Sequence, residues 1–110
     1  MANVLPVINQ KGPLPLTATV KVVSDGPMVL TFSGSVWSNT GESMIGASVL
    51  MDGVQVAAAT IFANQEATHM AVVPVAVPLQ TTFGQHTFEI VPLSDTTTDF
   101  NDNFALNILF

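Results

Sequence analysis

The sequence predicts an all-β fold: a single domain over residues 1–110, built as an antiparallel two-sheet β-sandwich of about eight strands and jelly-roll-like in form. Three observations predict it. Apolar residues alternate with polar ones at a period of two along several segments. Val, Thr, Ile and Phe dominate those segments, while the strong helix formers Glu, Lys and Arg are scarce. Seven Gly and seven Pro recur at short intervals, which cuts the chain into pieces of strand length rather than helix length.

The elements follow in order. Val4 to Ile8 is a first strand, stopped by Lys11-Gly12-Pro13. Leu16, Ala18, Val20 and Val22 then share one face, with Thr17, Thr19, Lys21 and Val23 on the other. Ser24-Asp25-Gly26-Pro27 is a turn. Met28, Leu30, Phe32 and Val36 form the next buried face; Gly34 interrupts it, as a bulge or a close backbone approach would require. Ser38 to Glu42 is a polar loop. Ile45 to Met51 and Val54 to Phe62 flank Asp52-Gly53, the residue pair that a type I′ hairpin turn demands. After Ala63-Asn64-Gln65-Glu66 comes a long strand. His69, Ala71, Val73, Val75 and Val77 fall on one side, with Met70, Val72 and Ala76 on the other. Both faces are apolar, and Pro74 and Pro78 suggest an edge position or a break. His86, Phe88 and Ile90 face inward on the next strand. Leu93 to Asn101 is a polar loop, and Phe104, Leu106, Ile108 and Phe110 line the last strand. An immunoglobulin-like sandwich is the alternative, although its Cys…Trp…Cys core is missing.

Charge excludes several functions. Charged residues make up 9% of the chain, against about 25% in an ordinary soluble domain, so polar uncharged side chains or another subunit must cover the surface. Lys11 and Lys21 are the only basic residues beside eight acidic ones, which leaves nothing to neutralise nucleic-acid phosphates or an anionic membrane. No apolar run approaches the roughly 18 residues of a membrane helix. The first residues show neither the basic nor the apolar region of a secretory signal, so no signal peptide is expected, and the compartment is left open. With no cysteine, disulfides, thiolate metal sites and cysteine nucleophiles are ruled out.

Two segments carry a family likeness. Gly84-Gln85-His86-Thr87-Phe88-Glu89-Ile90 is a turn leading into a strand. Thr98-Asp99-Phe100-Asn101-Asp102-Asn103-Phe104-Ala105-Leu106-Asn107-Ile108 is a polar loop leading into the terminal strand. This arrangement resembles the last strands of C1q/TNF-like jelly-roll domains. The resemblance implies a compact trimer whose subunits pack sheet against sheet, and a binding or structural role rather than catalysis.

The residues that could carry chemistry are few. Asp95 to Asn103 is the densest oxygen cluster. It lacks the Gly and the terminal Glu of an EF-hand, so its Asp and Asn side chains are expected to cap their own turns rather than bind calcium. His69 and His86, the only histidines, sit on apolar strand faces and are expected to be packed or interface imidazoles with one hydrogen bond each; a zinc ligand or a general base is the rival role. No Gly-x-Ser-x-Gly elbow, phosphate-cradling loop or paired-carboxylate pattern is present. The five methionines, Met1 among them, look like core or interface filler. Trp37 beside Ser38-Asn39-Thr40 has the composition of a sugar site, which makes Trp37 and Asn39 the candidate ligand-binding residues.

The expected function is therefore a non-enzymatic structural or recognition module that self-assembles and presents loops to a glycan or a surface protein. The alternatives are a lectin of the same fold and a small hydrolase using a histidine and a carboxylate. The homo-oligomer contact is expected at Met70, Val72, Val73, Val75 and Leu109, because the two-sided apolar run needs a cover for its second face. No cofactor and no metal are expected.

Overall fold

The period-two segments become two antiparallel sheets that bury their apolar faces against each other. The computed structural model describes residues 3–110; Met1 lies outside them. Among the described residues the strands are β1 (Val4–Lys11), β2 (Leu16–Val22), β3 (Gly26–Val36), β4 (Ser43–Met51), β5 (Val54–Ala63), β6 (Met70–Ala71), β7 (Val75–Thr81), β8 (Gly84–Pro92) and β9 (Asn103–Leu109). Sheet one runs β1-β9-β3, with β7 and then β6 lying end to end along the far side of β3. Sheet two runs β2-β8-β4-β5. Only the β4–β5 hairpin and the β6–β7 break stay within a sheet; every other connection crosses between the two. With β6 and β7 counted as one interrupted strand, this is the eight-strand winding of a jelly-roll.

Inward residues from both sheets meet in one core. Leu30, Phe32 and Val36 from β3 pack with Ile45 and Val49 from β4, Phe88 and Ile90 from β8, and Leu106 and Ile108 from β9. Removing each from water contributes roughly 1.5–3 kcal/mol. The chain supplies Ala rather than larger residues on β5, where Ala57 and Ala59 face Val49 and Ala47. The expected hairpin is present: Asp52 and Gly53 both have positive φ, at 52° and 85°, as a type I′ turn requires.

The first strand continues to Lys11 instead of ending at Ile8, held by pairing with Asn103–Phe104. The larger correction concerns Met70 to Leu79. It is not one two-sided strand. Pro74 has no N–H to give a ladder, and the chain shifts by one residue around it. Val72 N donates to Gly34 O at 2.9 Å in sheet one, and the next residue, Val73 N, donates to Thr60 O at 3.0 Å in sheet two. Val72 consequently points into the core at 2% exposure, whereas Val73 is 60% exposed. Beyond the break Val75, Val77 and Leu79 turn inward again. Ala71 and Val73 face outward before the break and Ala76 and Pro78 after it, so the outer side is apolar too, but it is split by the shift rather than running as one stripe. Val72 is therefore closed to a partner, and Met70 and Val75 are half-buried against the same core.

Gly34 is a close approach. A methyl group there would overlap the ring of Phe104, which crosses over β3 from β9. Gly34→Ala is expected to cost about 1–3 kcal/mol in denaturant unfolding, the range for overpacking. Combined with Phe104→Leu, it should cost less than the sum of the two single changes. Simple additivity would show that the ring does not set the requirement for glycine.

Candidate functional site

One end of the sandwich gathers most of the polar residues singled out in the sequence. Three segments meet there: Trp37–Gly41 after β3, Glu66–His69 before β6, and Leu93–Asp102 between β8 and β9. Backbone bonds lock them together. Trp37 and Thr97 exchange two hydrogen bonds at 3.0 and 2.8 Å, and Ala67 N donates to Ser38 O at 2.7 Å. The buried Ser38 hydroxyl accepts from the N–H groups of Thr40 and Gly41 at 3.2 and 3.0 Å, which folds that loop on itself.

Asp102 is the centre of this end. It has 0% exposure, so its carboxylate must find all its donors within the protein. Oδ1 accepts from Ser35 Oγ and from His69 Nδ1, both at 2.7 Å; Oδ2 accepts from Asp99 N at 2.9 Å. Its own carbonyl accepts from Gly12 N at 2.8 Å, which ties the exit of β1 to the same point. The hydrogen bond to Asp102 raises the His69 pKa above its ordinary value, and Asp99, with Oδ2 3.7 Å from Nε2, adds to the rise. Trp37 lies against the imidazole with ring centroids 5.7 Å apart and planes tilted by 42°.

Trp37 and Asn39 are thus placed at one site, though not as expected. The indole is half-buried behind His69, and its N–H meets no acceptor among the described residues. Asn39 Nδ2 donates to Thr97 Oγ1 at 3.0 Å rather than standing free. The exposed ring at this end is Phe100, 73% accessible at the tip of the β8–β9 loop. That loop caps its own turns as expected, with Asn101 N donating to Asp99 Oδ1 at 2.8 Å. His69 makes the one expected hydrogen bond, to Asp102, and lies against Trp37, whereas His86 departs from the expectation by bonding Asp52 and Thr82 at once.

His86 forms the second pair, at the opposite end. Nδ1 lies 2.6 Å from Asp52 Oδ2, and Nε2 lies 2.8 Å from the Thr82 carbonyl. Both partners accept, an arrangement that favours the doubly protonated ring. Asp52 also accepts from Thr87 N at 2.9 Å, which fastens the tip of the β4–β5 hairpin to β8. No signal local in sequence marks either pair. The register that sets Met51 opposite Phe88 is what brings Asp52 beside His86.

The fold is shared with known proteins at low identity. The globular domain of zebrafish complement 1qA aligns with a TM-score of 0.57 and 14% identity, over 84% of this chain and 67% of that one. A family 35 carbohydrate binding module from an environmental isolate aligns at 0.52 and 16%, over 100% and 74%. A β-glucosidase from Paenibacillus barengoltzii aligns at 0.59 and 14% over 98% of this chain, which spans only 10% of that enzyme. The chain is a jelly-roll sandwich, in keeping with the C1q-like resemblance of its last strands. No family model and no curated protein matches it.

The His86 pair makes stability depend on pH with a definite sign. Its pKa is raised above the ordinary 6.5, first by the hydrogen bond to Asp52 and then by that to Thr82. The folded chain therefore holds this proton more tightly than the unfolded chain. The stabilisation is complete below about pH 6.5 and is lost as pH rises through the raised folded value. The melting temperature should fall between pH 6 and pH 9, and His86→Gln should remove part of that fall. An unchanged slope in the variant would show that the pair contributes nothing. At the acid end, Asp52 is held below 3.8 mainly by His86, so its share is lost as pH drops through that lowered value.

Proposed function

We propose that the chain is a non-catalytic recognition module that assembles through the outer face of sheet one, as a trimer, and presents the Asp102 end to a partner. The observation that carries this is the composition of that outer face. One cross-strand row is Val4, Leu109, Val29 and Pro78; the next is Pro6, Asn107, Thr31 and Ala76; a third contains Asn9, Ala105 and Ser33. None of these rows contains a charge. Short side chains leave the face shallow enough for a second sheet to come close. An uncharged, partly apolar sheet face is what a second copy would cover. Leu109, expected at the contact from sequence, belongs to this face; Val73 is exposed near it but outside these rows. The likeness to the complement 1qA domain supports a binding role by analogy of fold.

A second reading gives the partner as a glycan. It is favoured by Phe100, a large ring held out on a loop whose root is fixed by Asp102, with Asp99 and Asn101 beside it in the chain. A fixed apolar ring flanked by hydrogen-bonding groups suits a sugar, which has an apolar face and a polar rim.

Sedimentation equilibrium at micromolar concentration should return three times the monomer mass. Ala105→Glu, which places a carboxylate in the middle of the uncharged rows, should return the monomer mass with an unchanged β-sheet circular dichroism spectrum. A monomeric parent protein would refute the assembly. For the glycan reading, an array screen should give hits, and Phe100→Ala should weaken them at least about tenfold. An array without hits ends that reading and leaves the assembly untouched.

A further inference from the structure

We propose that His69 and Asp99 form an open site for a divalent transition metal of the zinc class, with Asp102 as the outer acceptor that orients the imidazole. The inference does not depend on the identity of the partner or on assembly.

The argument starts from which atoms are already used. Asp102 is fully buried and both its oxygens are taken, by Ser35 Oγ and His69 Nδ1 on one side and Asp99 N on the other. It therefore acts as a fixed acceptor and not as a ligand. His69 Nδ1 must carry a proton to donate to it, which leaves Nε2 as the coordinating nitrogen. A histidine that ligates a metal nearly always gives its other N–H to a carboxylate or a carbonyl, and here that arrangement exists in advance of any metal.

The second ligand is equally constrained. Asp99 Oδ1 accepts from Asn101 N at 2.8 Å, so Oδ2 is the oxygen left over. Oδ2 lies 3.7 Å from His69 Nε2, too far for a hydrogen bond. It suits two ligands of one ion: with metal–ligand distances of about 2.0–2.2 Å, the nitrogen–metal–oxygen angle is roughly 125°, wider than tetrahedral by about 15° and brought to it by a shift of a few tenths of an ångström. The His69 and Asp99 side chains are 37% and 38% exposed, so water or a partner's oxygen can complete the shell. Calcium fits poorly, because it wants six to eight oxygens and the inner oxygens here are committed. His86 supplies an internal control, since both its nitrogens are already engaged.

The test uses the full chain, labelled with nitrogen-15, at pH 8, with zinc as the probe. Ring nitrogen spectra should show His69 Nε2 shifting with zinc while both His86 nitrogens stay in place. Calorimetry should give a single equivalent. Asp99→Asn should weaken binding at least about tenfold, and Asp102→Asn by about 10–100-fold as the orienting acceptor is weakened. His69→Gln should abolish binding and His86→Gln should leave it unchanged. The proposal is overturned if His69 does not shift at millimolar zinc, if His69→Gln still binds at the same site strength, or if calcium produces the same shift.

Discussion

A carboxylate shut away from water has to be surrounded by donors, and Asp102 meets that condition by drawing on three separate parts of the chain. Ser35 belongs to β3, His69 to the connection before β6, and Asp99 to the same loop as Asp102 itself. Each donor fixes the position of its own segment. The end of the sandwich is therefore ordered by an unavoidable electrostatic demand rather than by apolar packing. Removing one donor leaves the carboxylate short; removing the carboxylate leaves three donors without an acceptor. Phe100 is placed by that arrangement, whereas Trp37 and Asn39 are held by their own bonds to Thr97.

The same economy governs charge in the rest of the molecule. With two lysines and no arginine, the acidic residues have few conventional partners. The two histidines take that role, one at each end of the sandwich, paired with Asp102 and Asp52. Histidine is the one side chain whose charge is adjustable near neutral pH. The ends of this fold are thus tied by groups that can be discharged, whereas the core between them is indifferent to pH. The rows of sheet one carry no charge, and their one cross-row side-chain bond among the described residues is uncharged, Asn9 Nδ2 to Asn107 Oδ1 at 3.2 Å.

Much of the sandwich was legible in the sequence because burial is one-sided in most strands. Leu16, Ala18, Val20 and Val22 alternate with polar residues, and β2 follows that alternation. Asp52-Gly53 named its turn, because few other residue pairs tolerate two positive φ values. Gly34 marked the close approach of Phe104, although the partner itself was not identifiable. Met70 to Leu79 failed for a physical reason. Its residues are apolar in both parities, so nothing in the pattern records the one-residue shift at Pro74. The candidate site was half legible. Trp37, Asn39, His69 and the Asp95–Asn103 loop each stood out as chemistry-bearing, but His69 and Asp102 are 33 residues apart and meet only through the winding of two sheets.

The place of β9 bears on how the chain reaches this structure. It lies between β1 and β3, and it is the element that joins them: without residues 103–109 those two strands have no partner in each other. It also delivers Phe104, Leu106 and Ile108 to the core. A chain emerging during synthesis can form the β4–β5 hairpin early, from neighbouring residues. It can complete neither sheet one nor the core until β9 is available as well. During that interval the inward faces of β1 and β3 stay open to solvent. Sheet one is thus closed by partners far apart in the sequence, with Val4 opposite Leu109.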